Sequence, residues 1–576
     1  MQPQTKQCQN CKKDFTIEPD DFAFYGKIKV PPPTWCPECR KERRMVFRNE
    51  RRLFKRESGL MGEKLFSLYP IESDYVVYDD KDWWSQDKWD PLSFGLDFNF
   101  SRPFLLQFLE LSKKVPKYHR AAINMINSDY SANAEDLKNC YLLFNSNFTE
   151  DSAYGNGVDF CRNCYDVSHI QKSERCYDSF WLTNCYEVYF SVQCEDCISV
   201  WFSKNCKDCQ YCLGCVNQRS KKYCIFNEQY TKAEYEKKLE EMHMEKRSNV
   251  ASLRKMAEEF WLKFPNKYLQ GVNNQNVSGE YITHSRNIKK SFLVRECENL
   301  KYVQYSQVPS SKDCMDSTII GNKTELLYEC SVCGWGSADM RFCLECWDGG
   351  HGLEYSMFCG RSASDLFGCV GILKQQYCIL NKQYTKEEYF ALKLKIIKHM
   401  NDMPYVDRRG RIYKYGEFFP PEFSPFAYNH TIAIEHFSRN KNEVEKFGMN
   451  WDDKDPHKYA ITINLSELPD SIKNITEEIA NEVIECVLCK RAYRIIPSEL
   501  SFLKHADISL PDLCIDCRHN RRISHRSKSK IYPRKCMCDK EGHGHKGKCH
   551  NEFETSYAPE RPEIVYCESC YQREVY

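Results

Sequence analysis

The sequence lacks most of what marks an enzyme or a membrane protein. It has no Gly-x-Ser-x-Gly, P-loop, Gly-x-Gly-x-x-Gly or His-Glu-x-x-His signature, which excludes the sites those spacings build. No run of about 18 apolar residues is present, and the opening MQPQTKQCQNCKKDF has no apolar leader core. Charge of one sign is not in excess: 82 Lys+Arg stand against 81 Asp+Glu, a net charge of +1, so a global polycation and an acidic tail are excluded. The 34 cysteines in 576 residues fall below the ~8–10% of small disulfide scaffolds. Together these absences predict a cytoplasmic chain with no membrane partner and no evident small-molecule substrate. There thiols stay reduced and clustered cysteines hold metal. What is present is ample core material, 42% hydrophobic and 14% aromatic residues.

Internal repeats organise the chain. Cys8-x-x-Cys11 … Cys36-x-x-Cys39 recurs as Cys486-x-x-Cys489 … Cys514-x-x-Cys517, with Lys after the second Cys and Cys-Arg-x-x-Arg-Arg at the end of both copies. A second module follows each at the same distance. Ser58, Met61, Asp79 and Asp82 align with Cys536, Cys549, Cys567 and Cys570, so the N-terminal copy keeps the frame without its thiols. The C-terminal copy also carries an insertion with Cys538, His543 and His545.

Tyr223-Cys-Ile-Phe-Asn-Glu-Gln-Tyr-Thr-Lys returns as Tyr377-Cys-Ile-Leu-Asn-Lys-Gln-Tyr-Thr-Lys. Each phrase opens a helix through a capping box, Thr231 with Glu234 and Thr385 with Glu388. Upstream of each lie short Tyr/Phe/Val-rich segments between polar turns. In the first stretch cysteines recur at 21, as in Cys164, Cys185 and Cys206. This texture predicts a coiled β-solenoid, with an antiparallel meander as the alternative.

The expected fold is therefore mainly β with helices. Paired ribbons at 1–100 (the second degenerate) and 476–576 flank a two-part solenoid-like body at 119–270 and 271–400, each part with a helical cap. A connecting helix occupies 101–118 and irregular sequence 401–475. A helix is also expected over 476–485, and one amphipathic helix through Arg40–Arg56.

Two Cys-x-x-Cys pairs per module give the four thiolates of a closed tetrahedral zinc site. That assigns Cys8, Cys11, Cys36 and Cys39, and Cys486, Cys489, Cys514 and Cys517. A third site takes Cys549, Cys567, Cys570 and one of Cys536 or Cys538, with the insertion histidines read as solvated. Cys330, Cys333, Cys343 and Cys346 form a fourth candidate knuckle. The expectation is about three structural Zn2+ ions, four if that knuckle is loaded. The remaining central cysteines read as small core residues. The run Cys206, Cys209, Cys212, Cys215 raises an iron–sulfur redox alternative, but its even spacing lacks the longer last gap and the Pro of ferredoxin runs.

Closed four-ligand sites argue for a non-enzymatic protein. Arg40–Arg56 carries nine basic residues against two acidic ones, and Arg518–Lys535 eight with no acid. Arg43, Arg44, Arg48 and Arg51, with Arg518, Arg521, Arg522 and Arg526, are thus candidates to meet the phosphates of nucleic acid or a ribonucleoprotein. The competing reading is a helix face paired with acidic groups of the same chain. The function expected is a zinc-binding scaffold or adaptor, for nucleic acid or alternatively for a protein partner.

The phrase Cys-x-x-Cys-Lys-x-x-Phe … Phe-x-Phe-Tyr … Pro-x-x-Cys-x-x-Cys-Arg, over residues 8–44, resembles the bacterial zinc-ribbon (zinc-binding) domain family. With Asp-Lys-Trp-Asp-Pro, Tyr-Gly-Glu-Phe-Phe-Pro and Glu-Arg-Pro-Glu-Ile-Val-Tyr-Cys, the whole chain is similar to Cys-rich multi-ribbon proteins of candidate-phylum bacteria. Those proteins often carry the label CaiB/BaiF, which implies CoA transfer. The ribbons and solenoid leave no room for the α/β domain of a CoA transferase. In that family the second N-terminal ribbon has its cysteines; here Ser58, Met61, Asp79 and Asp82 depart from it.

Overall fold

Every third residue of the central region lies in the left-handed backbone region, and this builds the body of the protein. In the computed structural model, which describes residues 2–453 and 459–576, Asn139, Leu142, Asn145 and Phe148 have φ of 54°, 52°, 50° and 50°. The pattern continues through both halves. Each left-handed residue turns the chain, so three residues make one side of a coil and four sides close it. Coil partners lie 12 residues apart in the first solenoid, as in Tyr165↔Tyr177, Ile198↔Gln210 and Gln210↔Lys222. In the second the step varies: Ser364↔Gln376, Thr318↔Ser331, Glu298↔Lys312.

Coil-to-coil pairing is parallel, and within the two solenoid sheets antiparallel pairing appears, among the described residues, only at their ends, Cys224↔Gln229 and Cys378↔Gln383. The solenoid is therefore the fold and the meander is not. The period of 21 is corrected: it is seven three-residue sides, whereas the coil itself takes 12.

The middle residue of each side points inward and is small or branched: Cys140, Leu143, Ser146, Thr149, Ser152 and onward are buried. These side chains complete the backbone at the corners. Ser173 Oγ accepts from Cys185 N at 3.1 Å, and Cys185 Sγ lies 3.4 Å from Thr183 O and 3.5 Å from Cys194 O, donating its weak S–H there. A left-handed non-glycine residue costs about 1–2 kcal/mol, and a short polar side chain offsets this by local hydrogen bonding. Asn and Asp accordingly stack on the corners: Asn127 Nδ2 donates to Asn139 Oδ1 (3.1 Å) and Asn139 Nδ2 to Asp151 Oδ1 (2.9 Å).

Both solenoids end in the repeated phrase. The capping boxes form at Thr231/Glu234 and Thr385/Glu388, opening helices Lys232–Glu241 and Lys386–Asp402. Tyr235 and Tyr389 are buried against Tyr223 and Tyr377 on the last coils. The connecting helix spans Phe104–Lys114.

Three local expectations change. The Arg40–Arg56 stretch is not one helix: Pro37–Met45 is helical and Phe54–Glu57 is a strand. Residues 476–485 hold only a 3-10 turn, Glu477–Asn481, before strand Ile484–Glu485. Region 401–475 contains short strands at Tyr405–Val406 and Ile412–Tyr413 and helices at Ala433–Phe437 and Lys441–Phe447, while its residues 454–458 lie outside the described residues.

The two halves are crossed. Strand Val77–Tyr78 of the N-terminal ribbons pairs with Lys117–Tyr118 at the mouth of the first solenoid, and Val565–Tyr566 pairs with Asn266–Lys267 at the mouth of the second. The first ribbon of each pair instead leans on the other solenoid. The N-terminal helix Pro37–Met45 packs on the second solenoid through Asp316 and Glu329, and the C-terminal helix Ile515–Ser524 packs on the first through Asp166 and Asp178. The same contacts thus occur twice with the halves exchanged.

Candidate metal centres

Three groups of four cysteines bring one sulfur each to within 4.8 Å of all the others: Cys8, Cys11, Cys36, Cys39; Cys486, Cys489, Cys514, Cys517; and Cys536, Cys549, Cys567, Cys570. Each is built the same way. A hairpin supplies the first knuckle, with Lys12 N bonded to Cys8 O and Lys490 N to Cys486 O, both at 3.0 Å. The second knuckle opens a helix, because Cys36, Cys514 and Cys567 are its N-caps. The capping residue's N–H then donates to the first sulfur: Cys36 N to Cys8 Sγ, Cys514 N to Cys486 Sγ and Cys567 N to Cys536 Sγ, each 3.2 Å.

That repeated bond settles the third group. Cys536 occupies the position of Cys8 and Cys486, and Cys538 does not. Cys11–Cys36 and Cys489–Cys514 sulfurs are 3.7 and 3.6 Å apart. A tetrahedral Zn–S length of about 2.3 Å gives an edge of about 3.8 Å, so the cages fit such an ion.

Hydrogen bonding lowers one thiol in each cage. Burial pushes the Cys486 thiol up, but N–H donors from Cys489 and Cys514 outweigh it and bring it to about 7. For Cys567 burial is likewise outweighed, by Ser569 and Asn551, giving about 6. Burial pushes the neighbouring cage thiol Cys536 up to about 11, as it does Cys140 (about 11) and Cys378 (about 12) in the solenoids.

The degenerate ribbon keeps the frame without the ligands. Ser58 N bonds to Glu63 O at 2.9 Å and Gly62 N to Ser58 O at 3.0 Å, the turn that Cys8 makes. Asp79 stands at the helix N-cap, where Oδ1 accepts from Lys81 N at 2.9 Å. Cap chemistry has replaced ligand chemistry.

The fourth candidate site changes character. Cys330, Cys333, Cys343 and Cys346 are fully buried on adjacent coils of the second solenoid. They form no group of ligand atoms converging within 4.8 Å among the described residues. Cys330 Sγ is 3.4 Å from both Tyr328 O and Met340 O, and Cys343 Sγ 3.3 Å from Leu353 O. They are core residues sealed inside the coil. Cys206, Cys209, Cys212 and Cys215 occupy the four sides of a single coil and likewise form no such group among the described residues.

The arginine candidates are mostly buried, with Arg51 and Arg521 a quarter exposed. Arg43 and Arg44 are buried on helix Pro37–Met45. Arg43 donates to Glu329 Oε1 at 2.9 Å and Glu417 Oε2 at 2.8 Å, with its guanidinium 4.5 Å from the Trp35 ring centroid. Arg44 reaches Glu329 Oε2 at 3.1 Å, and Arg40, which sequence reasoning did not single out, reaches Asp316 at 2.7 Å. Arg48 pairs with Glu345 at 2.9 Å and half-buried Arg51 with Asp516 at 3.4 Å.

On the C-terminal helix, Arg518 binds Asp166 and Glu499, Arg522 binds Asp166 at 3.0 Å, and Arg521 shares Asp178 with Arg254. Arg526 meets Glu435 at 3.2 Å and Tyr305 Oη at 2.6 Å. All eight are paired with acidic groups of the same chain, the arrangement that the competing reading expects. Most of their partners lie far away in sequence, Asp166 and Asp178 on the first solenoid and Asp316 and Glu329 on the second, so the segment Arg518–Lys535 carries no acid of its own.

No helix among the described residues is long and apolar enough to cross a membrane. The fold is mainly β, with a Cys-rich solenoid body and four-cysteine groups near both termini able to hold metal ions. No protein-family model matches the chain, and no curated protein matches it.

Proposed function

We propose that this chain is a non-enzymatic zinc-organised scaffold for a protein partner. The observation that carries it is the coupling of two of the three metal groups to the joint between the solenoids. Cys36 and Cys39, and Cys514 and Cys517, sit on the first turn of the helices whose arginines enter the opposite solenoid. An ion bound there fixes the helix that fixes the joint. Four-cysteine groups of this kind suit structural Zn2+, and they leave no coordination position for substrate. With the eight candidate arginines committed to carboxylates, a protein partner stands ahead of nucleic acid. The outer face of the first solenoid offers exposed aromatics, among them Phe148 and Phe160 stacked at 4.9 Å, of the kind that protein interfaces cover.

The test is elemental analysis of anaerobically purified protein, followed by chelation and small-angle scattering. The expected result is zinc without iron, and an expanded, separated pair of lobes once metal is removed. Iron in place of zinc, or unchanged dimensions and melting of the metal-free protein, overturns the reading. Tight, salt-steep binding of the intact protein to RNA or DNA would return nucleic acid to first place.

A further inference from the structure

The insertion in the last ribbon carries donors that the four-cysteine cage does not use. Cys538, His543 and Cys570 place one ligand atom each within 4.8 Å of the others, and Cys570 also belongs to the cage of Cys536, Cys549 and Cys567. His543 Nδ1 lies 3.2 Å from Cys538 Sγ, and His545 Nε2 lies 3.4 Å from Cys570 Sγ. For Zn–S of about 2.3 Å and Zn–N of about 2.0 Å, the S···N edge of a tetrahedral site is about 3.5 Å.

The far side of each imidazole is also arranged for a ligand. His545 Nδ1 is 2.8 Å from Gly547 O, which requires N–H there and leaves Nε2 with its lone pair toward Cys570. His543 directs Nδ1 at Cys538 Sγ and has the Glu574 carboxylate 3.7 Å behind Nε2. A carbonyl or carboxylate behind the ring is how metal-binding histidines are oriented. Cys538 and Cys570 are fully buried. Cys549 N bonds to Cys538 O at 2.8 Å, tying the insertion to the cage. Left-handed glycines at 542, 544 and 547 (φ 84°, 84° and 65°) let the insertion fold back over it.

We propose that the last ribbon holds a second metal ion on the converging Cys538, His543 and Cys570, with the Cys570 thiolate bridging the two ions and His545, which meets only Cys570 at 3.4 Å, turning in as the fourth donor. The mixed sulfur and imidazole set selects Zn2+ among the common divalent ions. The inference rests on reading Cys536, Cys549, Cys567 and Cys570 as a metal site. It makes the C-terminal ribbon chemically distinct from both single-ion ribbons, and it raises the count from three ions to four without using the solenoid.

Native mass spectrometry of the full chain loaded with Zn2+ tests it, with His543→Ala/His545→Ala as the variant because both residues lie on the surface insertion. The expected result is four ions in the wild-type protein and three in the variant. A Cys330→Ser control keeps all four. Loading with 113Cd is expected to show scalar coupling between two cadmium resonances, lost in the variant. Three ions in both proteins overturns the inference while leaving the ribbon reading intact. Four in both places the fourth ion elsewhere and also overturns it. Fewer than three in the wild-type protein removes the ribbon reading and this inference with it.

Discussion

Glu329→Gln tests the joint between the solenoids most directly. Glu329 is fully buried and holds Arg43 at 2.9 Å and Arg44 at 3.1 Å, with Arg40 Nε at 3.7 Å. Around it Arg40, Arg43 and Arg44 face Asp316, Glu329 and Glu417, so the cluster is neutral as three pairs. The amide keeps the shape and removes one charge, leaving three guanidinium groups against two carboxylates out of water. Removing one partner of a buried pair costs about 3–5 kcal/mol, which for a unit of 150–250 residues is a loss of roughly 6–20 °C in Tm. Thermal and urea unfolding read this out. Adding Arg44→Met to Glu329→Gln should cost less than the sum of the single changes, a coupling of about 1–3 kcal/mol. Glu236→Gln, which breaks the exposed Lys232–Glu236 pair, should cost under about 0.5 kcal/mol. A Glu329→Gln protein within about 1 kcal/mol of wild type would refute the claim that these arginines hold the lobes together.

Acid should loosen the C-terminal arginine helix. His519 and His525 are each lowered to about 4, chiefly by burial and by the arginines and lysine beside them. Their unfolded forms take up a proton near 6.5 and the folded forms do not, so stability is full above pH 6.5 and lost as pH falls toward 4. Each contributes up to about 3 kcal/mol at 1.36 kcal/mol per unit, and His525→Gln should flatten that limb in pH-dependent unfolding. Replacing Ser58, Met61, Asp79 and Asp82 together by Cys should add one metal ion per chain, counted by native mass spectrometry; an unchanged count would show that the turn geometry is not enough. At the left-handed corner Asn184 (φ 53°), which donates to Asp196 at 2.6 Å, Ala should cost about 1–2 kcal/mol and Gly less.

The metal cages and cap helices were legible because they depend on local spacing: Cys-x-x-Cys makes a knuckle wherever it falls, and Thr-x-x-Glu closes a capping box. The coil was visible only as texture. Cysteine shares the inward position with Ser, Thr, Val, Ile and Leu, so spacing cysteines alone recovers any multiple of three, and 21 was one of them. The ladder Tyr165, Tyr177, Tyr189, Trp201 carries the true step of 12. The pairing of the arginines was hidden for the opposite reason. Their partners Asp166 and Glu329 lie hundreds of residues away, and an acid-free segment reads as a surface patch whenever its carboxylates belong to another part of the chain. Cys330-x-x-Cys333 showed the same ambiguity, since a three-residue side and a zinc knuckle share one spacing.

The crossed pairing sets a timetable for synthesis. Arg43 precedes Glu329 by 286 residues, and at about 5–20 residues per second the ribosome takes roughly 15–60 s to deliver the acid that neutralises it. Asp166 waits still longer for Arg518. During that interval the first ribbon and the first solenoid are each complete along their own backbones and mismatched in charge, one bearing bare guanidinium groups and the other bare carboxylates. On a polysome crowded with copies of the same chain, the early ribbon of one molecule meets the exposed solenoids of its neighbours before its own has been made. Assembly in trans is thus the hazard that release of the last hundred residues must outrun.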